Sequence, residues 1–400
     1  MKNLFPIFSH HPDLVFLDSA ASAQKPQVVL DAVRKFYEMS YANIHRGLYG
    51  LSLEATQEFD AAREKIAAFF GVESKEIIFT KNGTEAINLF ANSWGKTFLQ
   101  KGDEIVLTIA EHHANFLPWL KLREELGIVL KFIEPKDENM IFTAADFAEN
   151  ISEKTKLIAF PHVSNVTGQI FPVAEIVNLA EKFGALTFLD ACQSAAHFPV
   201  NFQELGVAAA CFTGHKMGAP GATGGIYVRS ELLAKMPPFL VGGDMVESVT
   251  REGFTALAAP QRFEAGTPAI VEIVGLGVAC DFLAEHDRTK IRAHEIKLLE
   301  YALREIAEKL LNFRLIGPEK AAERSSVIAL SHQKIHPHDL AQFLDTKQIC
   351  VRSGFHCAEP LHRHLGLEFG SLRLSLWLYN EKEDIDAFLT ALQAGEKLFS

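Results

Sequence analysis

Positive charge is scarce in this 400-residue sequence: 39 Lys and Arg stand against 50 Asp and Glu, a formal net charge of -11. So acidic a chain lacks the Lys and Arg density that binding a phosphate backbone requires, which argues against nucleic acid as a partner. No run of about 18 apolar residues occurs, so no membrane span is expected. The opening stretch is too short in apolar residues, and too broken by Pro6 and His10, to read as a signal peptide. Cysteine is rare and unpatterned. Cys192, Cys211, Cys280, Cys350 and Cys357 are odd in number and form no CxxC spacing, which gives neither a disulfide framework nor a zinc site. No metal site is expected, and the cytoplasm is the simplest compartment. Internal repeats and low-complexity tracts are absent too.

What is present fits a globular protein: 48% hydrophobic and 22% charged residues, in a chain long enough for two domains. Helical and strand patterns alternate through the first two thirds. Residues 56–70 place Phe59, Ile66, Phe69 and Phe70 on one helical side, and Gly71 stops the helix. Short apolar runs follow at 105–107, 128–133, 157–160, 186–189, 208–212 and 226–228, most separated by amphipathic stretches such as 173–183. Buried strands alternating with helices imply an α/β layered domain with a mostly parallel sheet. After Pro268 the character changes: two long helices over 269–310, then strand-like 327–330, 349–351 and 372–376, with a helix around 337–346. The last helix is expected to start at Asn380 with Glu383 as a capping-box partner, its core face carried by Ile385, Phe388, Leu389 and Leu392. The expected division is a large domain over 20–268 and a smaller α+β domain from 1–19 and 269–400.

Six segments carry side chains suited to chemistry. Phe188-Leu189-Asp190-Ala191-Cys192-Gln193 ends an apolar strand in an Asp, at the sheet edge where open α/β folds bind ligands. That carboxylate can keep a ring nitrogen protonated; taken alone, it reads as an ordinary strand end. Phe212-Thr213-Gly214-His215-Lys216 ends another strand, and a Lys shielded from water can form a Schiff base. Taken alone, it reads rather as a solvated Lys in a flexible loop. Asn82-Gly83-Thr84-Glu85 opens a helix, either as an anion site or as a plain Thr cap. In Glu111-His112-His113-Ala114-Asn115 the histidines are metal ligands without a matching third, or a flat ring for stacking. Val351-Arg352-Ser353-Gly354-Phe355-His356-Cys357-Ala358 gives a Cys cationic neighbours that favour its thiolate, against the alternative of a buried filler. Arg373, in Ser371-Leu372-Arg373-Leu374-Ser375, can grip a carboxylate with two parallel hydrogen bonds or make an ordinary salt bridge. The other four cysteines lie in or beside apolar runs and read as packing residues.

The order of these segments resembles the class V aminotransferase family of fold-type I pyridoxal-phosphate (PLP) enzymes, and within it the cysteine desulfurase and selenocysteine lyase branch associated with SUF-type iron–sulfur cluster assembly. The matching blocks begin at Leu17-Asp18-Ser19-Ala20-Ala21 and end at Tyr379-Asn380. Between them lie Asn43-Ile44-His45-Arg46-Gly47, His162-Val163-Ser164-Asn165, Gly214-His215-Lys216, Arg262-Phe263-Glu264-Ala265-Gly266-Thr267-Pro268 and the compact loop at 352–358.

The resemblance implies a fold and a set of roles. The fold is an α/β, fold-type I PLP-dependent transferase: a large domain with a mostly parallel seven-stranded sheet and a smaller α+β domain. Lys216 would bind the cofactor and serve as base, Asp190 would pair with its ring nitrogen, and Gln193 and Asn165 would bond its phenolic oxygen or nearby groups. His112 would stack on the ring; Thr84, Thr213 and His215 would hold the phosphate. Thr267 would reach the phosphate of a neighbouring subunit, which implies a homodimer. Arg373 would bind the substrate carboxylate, with Arg352 and His45 beside it. Cys357 would take sulfur from L-cysteine as a persulfide, release alanine, and pass the sulfur to a carrier protein. Selenocysteine is the alternative substrate; transamination, kynurenine cleavage or a scaffold without chemistry would not need Cys357. The chain departs from the family in Met217-Gly218-Ala219-Pro220-Gly221-Ala222-Thr223-Gly224, where the usual pattern is a bulky residue and then Gly-Pro-Thr-Gly-Ile-Gly. It also departs at Gly83, where many relatives have Thr, and in a few extra residues between Cys357 and Arg373.

Overall fold

A computed structural model describes residues 1–136 and 139–399. The expected apolar runs become a seven-stranded sheet in the order Ile77–Thr80, Gly224–Val228, Ala209–Thr213, Leu186–Asp190, Thr155–Pro161, Glu104–Thr108 and Val129–Ile133. Neighbours are parallel except at Gly224–Val228, which runs antiparallel to both its partners. The central strands are buried along nearly their whole length, as a sheet covered on both faces requires. An α/β fold with a mostly parallel sheet is therefore what the chain adopts.

A second, antiparallel sheet has the order Phe313–Ile316, Val327–His332, Ser371–Ser375 and Arg352–Gly354. Alternation along Ser371–Ser375 explains its use: Leu372 and Leu374 enter the hydrophobic core shared with the helices Arg288–Lys309 and Lys382–Phe399, while Ser371, Arg373 and Ser375 point the other way. Ile385, Phe388, Leu389 and Leu392 are buried in that core as their spacing implies. The cap of the last helix differs from expectation. Asp384, not Glu383, accepts from the Glu381 amide (3.0 Å) and from Asn380 Nδ2 (3.1 Å). Asn380 Oδ1 instead accepts from the Trp377 amide, so the residue fastens the preceding turn.

We propose the division into 20–268 and the remainder, with the helix Ile270–Glu285 at the join. This helix is apolar on all sides and packs on Gln27–Met39 and Gly50–Phe70. The approach to the second of these is close: a Cβ at Gly277 would lie 2.9 Å from the Ala62 Cβ. The N-terminal segment is pinned over the same join by Phe5, fully buried against Phe282, Trp377 and Tyr379 with ring centroids 6.0, 5.8 and 4.9 Å away. No helix among the described residues is long and apolar enough to cross a membrane.

One buried ion pair ties the segment 262–268 to the sheet. Arg63 makes a two-pronged contact with Glu264 at 2.9 and 2.6 Å, donates to the Ile77 carbonyl, and lies 4.2 Å from the Phe79 ring centroid. Glu264 also accepts from the Phe79 amide. Removing one partner strands the other as a buried charge. Arg63→Ala is therefore expected to lower unfolding free energy by about 3–5 kcal/mol in denaturant titration, whereas loss of an exposed pair such as Lys65–Asp281 costs about 1 kcal/mol or less.

Candidate active site

The parallel strands Glu104–Thr108, Thr155–Pro161, Leu186–Asp190 and Ala209–Thr213 bring their carboxyl ends to one edge, where an open α/β sheet leaves a crevice. A cavity of ≈ 290 Å³ lies there. The structure brings into it Thr84, His112, Asn165, Asp190, Gln193, Thr213, His215, Lys216, Arg352, Cys357 and Arg373, from seven separate stretches of sequence.

One wall is built from the large sheet. Asp190, the last residue of its strand, has Oδ1 fixed by the Cys192 amide at 2.9 Å and approached by the Cys211 thiol at 3.6 Å. Lys216 follows the strand Ala209–Thr213 on one short helical turn. Its Nζ has no hydrogen-bond or ion-pair partner among the described residues. Desolvation lowers its ammonium below the ordinary lysine range, although Cys192 and Asp190 pull in the opposite direction. His112 takes a hydrogen bond from the Ala114 amide on Nδ1 at 3.1 Å, so its neutral ring carries the proton on Nε2. Burial, then the nearby Lys216 charge, pushes it down to about 4, which keeps it neutral. His215 is also lowered to about 4, first by burial and then by Lys216 and Lys25.

The N-terminal turn of the helix Gly83–Phe90 forms the floor. Asn82, rather than Thr84, is its cap: the Asn82 side chain accepts from the Glu85 amide at 2.9 Å. Thr84 is thereby left facing the cavity with the helix's positive end. Glycine at position 83 has a local cause, since a Cβ there would lie 2.6 Å from Cys192 Sγ. The atypical segment after Lys216 is closed on itself by Gly214 N–H to Thr223 O (2.9 Å) and Thr223 Oγ1–H to Pro220 O (2.7 Å).

The opposite wall comes from the small sheet. Arg373 donates Nη1–H to Asn165 O at 3.0 Å and Nη2–H to Asp18 Oδ1 at 3.1 Å, yet its buried Nε–H has no partner. Cys357 sits on a loop whose carbonyls are clamped: Asn165 Nδ2–H donates to His356 O and the His113 amide to Cys357 O, both at 2.6 Å. His113 Nε2 accepts in turn from the Glu359 amide at 3.2 Å.

Two expected site residues lie elsewhere. His45 is exposed, in the loop before the helix Gly50–Phe70, with its ring against Phe59. Thr267 lines a different cavity of ≈ 420 Å³ with Thr80, Lys81 and Glu85. Residues read as packing or passed over also reach the site. Cys192 and Cys211 hold their sulfurs 3.9 Å apart beside Asp190, and with it form a set of atoms within 4.8 Å that could ligate a metal. Burial raises the Cys211 thiol well above its usual range, which keeps it protonated as the donor to Asp190 Oδ1. His113, His356 and Glu111 complete the list of residues that only the folded chain reveals.

Glu111 is fully buried, accepting from Thr108 Oγ1 and Asn115 Nδ2 at 2.7 Å each. Desolvation raises its pKa to about 8, with repulsion from Asp190 adding to it. The folded chain thus keeps a proton that the unfolded chain loses near pH 4.5. Its contribution to stability falls as pH rises from there to about 8 and is level beyond. Glu111→Gln is expected to remove that slope: the variant should match wild type in denaturant titration near pH 5 and exceed it near pH 8.5.

Comparison with known proteins agrees with this geometry. The family model described as aminotransferase class-V matches residues 15–388. A probable cysteine desulfurase of Synechocystis sp. is 42% identical, over 99% of this chain and 95% of that one. A cysteine desulfurase of Yersinia pseudotuberculosis is 41% identical over 98% and 97%. Among solved structures, the apo cysteine desulfurase of Thermococcus onnurineus superposes with a TM-score of 0.93 at 35% identity, covering 100% and 97%. A match along this much of the chain has one reading: the chain belongs to the class V aminotransferase family.

Proposed function

We propose that this chain is a PLP-dependent cysteine desulfurase, which turns L-cysteine into L-alanine and keeps the sulfur on Cys357 as a persulfide. The observation that carries the reading is Cys357 lining one cavity with a partnerless Lys216, Asp190 and Arg373. PLP fits the groups present. The free Lys216 amine suits its aldehyde carbon, and the Asp190 carboxylate suits a protonated ring nitrogen. His112 offers a flat neutral ring, and Gln193 and Asn165 offer amides to the phenolic side. Thr84, Thr213 and His215, beside a helix N-terminus, suit the phosphate. When bound, PLP supplies an electron sink for the pair released at the substrate Cα.

The chain's own residues divide the remaining work. The unsatisfied Arg373 Nε–H and the cationic Arg352 at the mouth bind the substrate carboxylate. Lys216 Nζ would take the Cα proton; the desolvation that lowers its pKa leaves it able to accept one. The Cys357 thiolate attacks the substrate sulfur, the new S–S bond forming as the Cβ–S bond breaks. Cys357 is only partly buried, so the persulfide is open to a small sulfur-carrier protein serving assembly of iron–sulfur clusters or other sulfur-containing cofactors. Thr267 and His45 lie outside their own chain's cavity, on a surface that exposes Leu48, Leu53, Val241 and Val249. We place a homodimer interface there, with Thr267 directed to the phosphate site of the neighbouring subunit. Five unpaired cysteines suit a reducing cytoplasm.

The deciding measurement is alanine release from L-cysteine with a thiol reductant. Wild type is expected to produce alanine, and Cys357→Ala to lose it by several orders of magnitude, as removal of a nucleophile does, while both retain bound PLP. Equal release by the two proteins would sink the sulfur-transfer role.

A further inference from the structure

Arg373 is buried, and its guanidinium is held at two points by the chain itself. Nη1–H donates to Asn165 O at 3.0 Å, from the large sheet's side of the join. Nη2–H donates to Asp18 Oδ1 at 3.1 Å, from the N-terminal segment. Two anchored nitrogens fix both the plane of the group and its rotation. The third nitrogen, Nε, has no partner among the described residues. The edge left for a ligand is therefore the one that combines Nε–H with a second N–H of a terminal nitrogen. That side-on edge matches a carboxylate with two parallel hydrogen bonds.

Asp18 is itself fastened where it cannot swing aside for a ligand. It forms a parallel bridge to Ser375, two residues along the strand from Arg373. The Ser375 amide donates to Leu17 O at 2.7 Å and the Ala21 amide to Asp18 O at 3.0 Å. The Ala20 amide donates to Ser375 Oγ at 2.9 Å. The carboxylate thus stands on backbone pinned on both sides. Arg352 shows the contrast. It lies directly opposite Arg373 in the neighbouring strand, yet has no hydrogen-bond or ion-pair partner among the described residues. Nothing fixes the edge it presents. Its charge repels that of Arg373 across the strands, and Asp18 is the carboxylate that acts on both. One anion beside two cations leaves a charge that a single further carboxylate neutralises.

We propose that Asp18 is a positioning residue for substrate recognition: it stays on Arg373 Nη2 while the substrate carboxylate takes the Nε edge. The inference rests on the reading of Arg373 as the carboxylate-binding residue and deepens it. It does not depend on what happens to the sulfur. Asp18 touches no reacting atom and acts only through the guanidinium. A long side chain that is ordered before it meets its ligand gives up less freedom on binding. The substrate carboxylate therefore adds to a fixed group instead of competing for a mobile one.

The test uses cofactor-loaded protein and two substitutions that remove the same charge. Asp18→Asn keeps an oxygen that accepts from Nη2, and Asp18→Ala keeps none. Binding of L-alanine is titrated by the absorbance of the bound cofactor, beside ethylamine, which is alanine without its carboxylate. Asp18→Ala should bind L-alanine at least about tenfold more weakly than Asp18→Asn, the worth of one hydrogen bond to a charged group. Ethylamine should bind the two variants alike. In turnover of L-cysteine the same difference should appear in KM, with kcat equal in the two. Equal binding of L-alanine by the two variants overturns the proposal, because charge alone would then account for Asp18. A deficit that extends to ethylamine overturns it too, since a deformed pocket would produce that. A crystal structure of the wild type with L-alanine needs no variant. It should show the carboxylate at Nε with Asp18 still on Nη2; a carboxylate that has replaced Asp18, or that lies away from Arg373, overturns the proposal. If wild type releases no alanine from cysteine, the desulfurase reading fails, and the L-alanine titration still decides the role of Asp18.

Discussion

A lysine amine held in a cavity with nothing to bond is the constraint around which the site is arranged. Paired with a carboxylate, Lys216 would stay an ammonium and could neither bind a carbonyl carbon nor accept a proton. Asp190 lies near enough to be felt, but one of its oxygens is occupied by the Cys192 amide and the Cys211 thiol. Arg373 and the histidines add no anion. The same poverty of partners appears across the cavity at Arg373 Nε. Lys216 Nζ at one wall and Arg373 Nε at the other are groups that a cofactor and an amino-acid carboxylate would meet.

The second requirement is that the two walls, drawn from different sheets, keep their spacing. Asn165 serves both: its carbonyl accepts from Arg373 and its side chain holds the His356 carbonyl. The first residues of the chain serve too, since Asp18 meets Arg373 while the Ala20 amide donates to Ser375 Oγ and the Ala20 carbonyl accepts from Gln193. The alternation of the strand Ser371–Ser375 allows this. Its apolar residues face a core, which releases the intervening Ser and Arg side chains for the join.

Legibility in the sequence followed the range of each interaction. Strands of continuous apolar residues and the helix ending at Gly71 could be read locally, because burial and a left-handed cap leave marks within a few residues. Asp190, Lys216, Cys357 and Arg373 could be named because each stands in a motif whose order along the chain is distinctive. Residues defined by convergence could not. Cys192 and Cys211 look like fillers until two adjacent strand ends place their sulfurs beside Asp190. The short strand Arg352–Gly354 carries little local pattern and owes its form to what packs against it. At the last helix the sequence offered two acidic residues for one cap, and only the fold shows that Asp384 takes it.

The pair His112–His113 shows how such convergence couples parts of the site. One residue presents its ring to the cavity, while the next gives its amide to Cys357 O and its Nε2 to the Glu359 amide. Because the two are consecutive on a single short turn, the proposed stacking ring and the loop carrying Cys357 cannot shift independently. A movement that brought Cys357 toward a substrate sulfur would pull on the segment carrying His112. In that arrangement the spacing between the proposed stacking ring and Cys357 is set by the backbone of the turn His113–Asn115, just past the strand Glu104–Thr108, rather than by the flexible end of a loop, which explains how a loop so short and so strained can hold its thiol in place.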